Sequence, residues 1–226
     1  MITNSFVYLE FGALPMKYVI HCRQLGFLYH IIALDDLDPV RRMHEYQKLL
    51  PYEKNWTNEV IPLIAEYGLS TIDITSVSKD SWKETVKKKV MEKAFIQLTT
   101  DISDKSKTKH LQYETFSFQP YMHSFTYKQA CIILKLRSHS IDCKDNRKSS
   151  NSDRFCRLCK TVDETQSHII NCPKVSVGPV LGLSKLLTAN TLIPGDEEIV
   201  EICRRIDVFN KLINNSDETI LSSENA

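Results

Sequence analysis

Cys156-Arg157-Leu158-Cys159-Lys160-Thr161-Val162-Asp163-Glu164-Thr165-Gln166-Ser167-His168-Ile169-Ile170-Asn171-Cys172 has the spacing C-x2-C-x8-H-x3-C. Three thiols and one imidazole form a Cys3His set, one of the closed tetrahedral ligand sets of structural zinc. Two residues between Cys156 and Cys159 allow a tight turn that aims both sulfurs at one point. His168 and Cys172 stand four apart, which puts them on one face of a helix. The eight residues between Cys159 and His168 suffice to bring that helix back over the turn. Thiolates and a neutral imidazole bind Zn2+ strongly at neutral pH, so binding free energy becomes folding free energy. The bland alternative is a chance grouping in a chain with seven Cys and seven His. A CxxC followed by a helical His/Cys pair is instead a spacing that signals zinc. A redox CxxC needs neither His168 nor Cys172, and no βαβ pattern surrounds this one. Catalytic zinc keeps one position open for water, whereas protein fills all four here, which argues against a zinc nuclease.

Working outward, the chain of 226 residues is long enough for one or two domains with a core. Its 42% apolar and 25% charged content is that of a soluble globular protein. With three thiols assigned to zinc, Cys22, Cys131, Cys143 and Cys203 remain, scattered without a disulfide framework. This suits a reducing, intracellular compartment, nuclear or cytoplasmic. No secretory signal opens the chain, and the apolar run from Val19 to Leu34 is broken by His21, Arg23, Gln24 and His30, so no membrane span is expected. The net charge of +1 hides an uneven distribution. Residues 1–78 carry a net of −3, residues 79–160 a net of +9, and residues 161–226 a net of −5. The basic stretch runs directly into the metal motif. A solvated helix face explains any single cluster, but the coincidence with a zinc module points to a polyanion partner.

The expected fold is mainly α: a multi-helix segment, a small CCHC zinc knuckle, then C-terminal helices. Residues 1–14 read as an irregular N-terminus and 15–150 as a helical, basic segment. Residues 151–175 read as the knuckle, 176–214 as C-terminal helices and 215–226 as a disordered tail. Pro15 opens a helix to about Ala33, Pro39 a second to Leu50, and Asn55 caps a third that ends at Gly68, with Pro62 expected to kink or divide it. Ser81-Trp82-Lys83-Glu84 reads as a capping box that opens the strongest helix, to about Thr100. Thr126-Tyr127-Lys128-Gln129 reads as another. A further helix is expected from Val177 to Thr188, and another after Pro194-Gly195. The aromatic connector with Tyr113, Phe116, Phe118, Tyr121 and Phe125 can stack on single strands, but packing onto the helices is the simpler reading. Asp35-Asp36 superficially suggests a polymerase pair of aspartates. It lies at a helix end rather than on a β-hairpin, and so reads as solvated loop and helix N-terminal charge.

Four blocks resemble the segment that follows the polymerase core in reverse-transcriptase polyproteins of non-LTR retrotransposons. The first is Leu14-Pro15-Met16-Lys17-Tyr18-Val19-Ile20, continuing to Arg23 and Leu28-Tyr29-His30-Ile31-Ile32, with Trp56 opening a short helix downstream. Phe95, Gln119-Pro120-Tyr121-Met122 and Leu136-Arg137-Ser138 are similar to the next blocks. Asp142-Cys143-Lys144, then Cys156, Cys159, Glu164, Thr165, Gln166, His168 and Cys172, resemble the family's closing block, which is the most specific. The resemblance spans residues 10–175. Gln24, Gly26, Pro62 and His139 depart from the family pattern. Nothing here matches the family's polymerase palm or its endonuclease, so a remnant or fragment of a longer element is expected.

The resemblance implies a non-catalytic region that helps hold RNA and DNA beside a reverse transcriptase core. It carries over only to the zinc ligands Cys156, Cys159, His168 and Cys172. Lys87, Lys88, Lys89, Lys93, Arg137, Lys144, Arg147 and Arg154 are the expected phosphate contacts, chosen from the charge pattern alone. RNA or DNA is the expected partner; no small-molecule substrate and no enzymatic activity are expected. The alternative is a structural or protein-interaction module in which zinc staples the chain's end and the helices dock on a separate polymerase core or other partner.

Overall fold

The computed structural model describes residues 3–50, 54–146, 154–175 and 196–223, with side chains described as far as Asn215. The fold is mainly helical. In chain order the helices are α1 (Asn4–Glu10), α2 (Met16–Ile32), α3 (Pro39–Lys48), α4 (Trp56–Glu66), α5 (Lys79–Ser103), α6 (Tyr121–Ser124), α7 (Tyr127–Arg137), α8 (Gln166–Asn171) and α9 (Glu197–Ser223). Among the described residues, extended pairing is confined to two isolated bridges, Phe11 with Phe118 and Phe155 with Asp163. No helix among them is long and apolar enough to cross a membrane. The helix expected over 177–188 lies outside the described residues.

The chain forms two compact units, and their boundaries differ from those expected. Residues 13–98 form one, here the insert unit. Residues 1–12 and 99–226 together form the other, here the metal unit. The insert unit is built on Trp82. That indole is 1% exposed, and its Nε1 donates to the Leu25 carbonyl at 2.9 Å. Val86, Val90 and Ala94 continue the stripe at spacings of four and pack with Leu25, Leu28, Val60 and Leu63. The Ser81 capping box does not form. The helix begins at Lys79, so Ser78 is the capping residue, and its hydroxyl accepts from Ser81 N at 3.3 Å. Pro62 does not divide α4, because packing of Val60 and Leu63 and a closed C-terminus hold it. Gly68 at φ +64° lets Leu69 N reach Ile64 O at 2.8 Å and Gly68 N reach Ala65 O at 3.1 Å, a Schellman closure.

In the metal unit the N-terminus is helical rather than irregular. Thr3 caps α1, which buries Phe6, Leu9 and Glu10. Glu10 is the reason for the difference. Its fully buried carboxylate accepts from Tyr113 Oη, from Tyr121 Oη at 2.6 Å and from Arg137 Nε at 2.9 Å. Burial, followed by the negative charge of Glu10, raises both tyrosine pKa values, so the phenols stay protonated as donors. The capping box at Thr126–Gln129 forms as expected. Ala130, Ile133 and Leu136 of α7 join Ile169 and Ile170 of α8 and Ile199, Ile202, Ile206 and Phe209 of α9 in one core. The tail expected to be disordered from 215 continues α9 to Ser223, since no Gly or Pro interrupts it.

Gly12 makes a sharp prediction. It has φ +56°, and a Cβ there would lie 2.4 Å from Phe118 N and 2.5 Å from Ser117 C, both backbone atoms. Gly12→Ala is expected to destabilise the protein by about 1–3 kcal/mol, through the left-handed backbone and the forced separation of the Phe11–Phe118 bridge. A urea midpoint equal to that of the parent chain would refute this.

Candidate metal centre

The CxxC turn is shaped by its own backbone. Cys156 N donates to Val162 O at 2.7 Å, and Lys160 N donates to Cys156 O at 3.0 Å. Lys160 takes the left-handed conformation, φ +60°, that reverses the chain after Cys159. Leu158 N points at Cys156 Sγ (3.4 Å), and the Thr161 hydroxyl at Cys159 Sγ (3.2 Å). Thr165 caps α8, accepting from His168 N at 3.1 Å, and this sets His168 on the first turn.

Together these elements bring Cys156, Cys159, His168 and Cys172 to one point, with all four donor atoms within 4.8 Å of one another. Cys156 Sγ and Cys172 Sγ are 3.9 Å apart, and Cys159 Sγ and His168 Nε2 are 3.3 Å apart. Metal–sulfur and metal–nitrogen bonds of zinc length at tetrahedral angles require about 3.8 Å and about 3.6 Å for such pairs. The donors therefore already stand near the edges of a coordination tetrahedron and can hold a metal ion. Their electrostatics also call for a cation. Cys172 is pushed up to about 12, first by burial and also by the crowding sulfurs of Cys156 and Cys159. Burial acts in the same upward direction on Cys159. Hydrogen bonds from Thr161, Cys156 and Val162 outweigh it and hold that thiol down to about 6.

A buried carboxylate supports the turn. Glu164, 1% exposed, accepts from Arg157 N at 2.7 Å, Arg157 Nε at 2.9 Å and Lys144 N at 3.1 Å. Arg157, the residue after Cys156, also donates to Asp142 O at 2.9 Å, and its guanidinium lies 5.8 Å from the Phe209 ring centroid. Gln166 Nε2 donates to Leu136 O at 3.0 Å, fastening α8 to α7. Arg205 Nη1 donates to Ile170 O at 3.2 Å, satisfying an orphan carbonyl of α8 from α9. The knuckle is thus built into the core rather than appended to it. Arg157 was missed in the sequence, where it reads as one more cation of the basic stretch. Glu164 stood in the closing motif block without a role.

The expected phosphate contacts divide. Lys87 and Lys88 are exposed on α5 in the insert unit. Lys89 pairs with Glu92 at 3.4 Å. Lys93 pairs with Glu66 at 3.4 Å and lies over the Tyr67 ring. In the metal unit Arg154 is exposed beside the knuckle, and Lys144 is half-buried in the 3-10 turn that Glu164 holds. Arg147 lies outside the described residues. Arg137 is corrected: it is fully buried, with Nε and Nη2 both 2.9 Å from Glu10 Oε1, so its guanidinium is committed to an internal carboxylate and faces no phosphate. Tyr121 and Phe125 are core residues, and Phe118 stacks on His123 with centroids 4.3 Å apart, so these connector rings pack rather than stand free.

Fold and site define a mainly helical protein with a closed Cys3His centre able to hold a metal ion. No protein-family model, curated protein or solved structure matches the chain.

Proposed function

We propose that the metal is zinc, held as a structural ion, and that the protein is a non-catalytic nucleic-acid-binding segment of the kind that follows the polymerase in non-LTR retrotransposons. Three thiolates and an imidazole are zinc's usual structural donors, and filling four positions from the chain leaves none for substrate or water. The zinc organises the metal unit; binding falls to exposed cations.

The observation that carries the nucleic-acid reading is on α5. Lys83, Lys87 and Lys88 are exposed there, with no carboxylate partner among the described residues. Lys83 and Lys87 are one turn apart, a spacing suited to tracking phosphates without reading bases. Fluorescence anisotropy with a 20-nucleotide RNA and the matching DNA, between 50 and 200 mM salt, tests it. Binding is expected to weaken steeply with salt. The triple substitution Lys83→Ala, Lys87→Ala and Lys88→Ala should flatten the log–log slope by roughly 2 to 3. A parent slope near zero, or a triple variant that binds like the parent, overturns the reading.

A further inference from the structure

Apart from the metal centre and the lysines of α5, the insert unit carries a polar cleft of about 430 Å³ between α2 and α4. Lys17, Ile20, His21 and Gln24 of α2 line one side, and Glu59 and Leu63 of α4 line the other. Positions 17, 21 and 24 stand at spacings of four and three, which is one stripe of a helix. The cleft holds both signs of charge, yet Lys17 and Glu59 do not pair with each other. Among the described residues neither has an oppositely charged partner. Lys17 instead lies over the Tyr18 ring, its ammonium 5.6 Å from the centroid. The Gln24 amide makes no hydrogen bond among the described residues.

The hydrogen-bonding sense of His21 follows from the tyrosine beneath it. His21 Nδ1 is 2.5 Å from Tyr67 Oη. Tyr67 is 4% exposed, and burial raises its pKa, so the phenol keeps its proton. Among the described residues His21 Nδ1 is the one acceptor within reach of that proton, and a buried donor left unmade costs about 1–3 kcal/mol. Nδ1 therefore accepts. Burial lowers the His21 pKa despite the nearby Glu66 carboxylate, so the ring is neutral and its own proton sits on Nε2. Tyr67 is not part of the cleft lining, so the Nδ1 edge turns away from the cleft and the Nε2–H edge turns toward it. Nε2 is not a buried atom and has no partner among the described residues, which makes it an accessible donor of fixed sense.

We propose that this cleft binds an unpaired guanine base, with Lys17 and His21 donating to its acceptor edge and Glu59 accepting from its donor edge. Guanine alone among the standard bases places two adjacent acceptors, O6 and N7, on one edge and two adjacent donors, N1–H and the N2 amino group, on the next. Adenine would set its N6 amino group against the donors of α2. Cytosine would present its N3 lone pair to the carboxylate, and uracil offers that carboxylate a single N–H. Ile20, 46% exposed, and Leu63 supply apolar surface for the face of the ring. An ion pair across the cleft would close it, whereas the separation of Lys17 from Glu59 leaves both available to a ligand. Tyr67 is a positioning residue, acting through the His21 tautomer. That the guanine belongs to a single strand rests on the nucleic-acid reading above; a free guanine nucleotide presents the same edges.

The test is fluorescence anisotropy of the full chain with adenosine oligomers in which only the central base varies. At fixed length and salt a central guanine is expected to bind about tenfold more tightly than adenine, cytosine or uracil. Hypoxanthine, which lacks the N2 amino group, and 7-deazaguanine, which lacks the N7 acceptor, should each lose part of that preference. Glu59→Gln should abolish the preference, with unchanged helical circular dichroism and unchanged binding of the all-adenosine strand. Tyr67→Phe should reduce it, because the ring proton can then move to Nδ1, and nitrogen NMR of the free parent chain should show the Nε2–H tautomer. The triple lysine variant of α5 should weaken all strands alike and keep the preference, which separates this site from the phosphate contacts. Equal affinity for guanine and adenine strands, a preference that survives Glu59→Gln, or an Nδ1–H tautomer in the parent overturns the proposal. If no strand binds, the nucleic-acid reading fails and guanosine monophosphate decides. Shifts of the His21 and Ile20 signals would then keep the guanine site with a free nucleotide as its occupant, and their absence at millimolar concentration overturns it.

Discussion

Cys159→Ser is expected to strip the metal from the protein and to unfold the metal unit around the vacated ligand set. The parent chain should bind about one zinc, and the variant essentially none, by elemental analysis of the dialysed protein. The effect should be large because α8 has only six residues, too few to stand as an isolated helix. Two of the remaining donors, Cys156 and Cys172, are fully buried in the same core as Ile133, Ile202 and Phe209. Losing the ion leaves crowded thiols in that core and frees the turn that Glu164 clamps. Zinc binding in small modules is worth roughly 10–16 kcal/mol, comparable with the whole stability of a domain, about 5–15 kcal/mol. Hydrogen-exchange protection should therefore vanish over residues 154–175 and weaken in α7 and α9. A chelator should reproduce the change in the parent chain. Unchanged metal content in Cys159→Ser would refute the site.

The second large effect is expected at the buried ion pair. Arg137→Met alone leaves the Glu10 carboxylate buried with only the two tyrosine hydroxyls, and Glu10→Gln alone leaves an uncompensated guanidinium. Breaking a buried pair from one side costs about 3–5 kcal/mol. For a chain of this size that lowers the melting temperature by roughly 10 °C. The double variant Glu10→Gln/Arg137→Met should recover much of the loss, since it removes both charges while the Gln amide can accept from one of Tyr113 and Tyr121 and donate to the other. The coupling energy from urea denaturation of the four proteins measures this directly. Additive losses in the double variant would show that the pair does not act as a unit. The same cycle tests why residues 1–12 belong to the metal unit, because Glu10 is their charged anchor there.

The two cases differ in how far apart the partners stand in the chain. The metal ligands are local. A turn with two intervening residues and a helical pair four apart converge whatever surrounds them, so spacing alone identified all four. The Thr126 capping box and the Asn55 cap were legible for the same reason, each being a contact across three residues. Glu10 and Arg137 are 127 positions apart. In the sequence Arg137 is one more cation after a basic helix, and only folding shows that it is internal. The capping of α5 failed within the local range itself, because Ser78 and Ser81 both offer a hydroxyl and the helix selected the earlier one.

The linear chain was therefore sufficient for the helical class, through its apolar stripes, and for the metal donors, through their spacing. Charge pattern located the basic region but not which of its members stay in solvent. That was decided by tertiary structure: Lys87 and Lys88 remain exposed, Lys89 and Lys93 acquire carboxylates, and Arg137 is withdrawn into the core. Short-range geometry is written in residue spacing, whereas burial and the pairing of charges depend on which distant segments the core brings together.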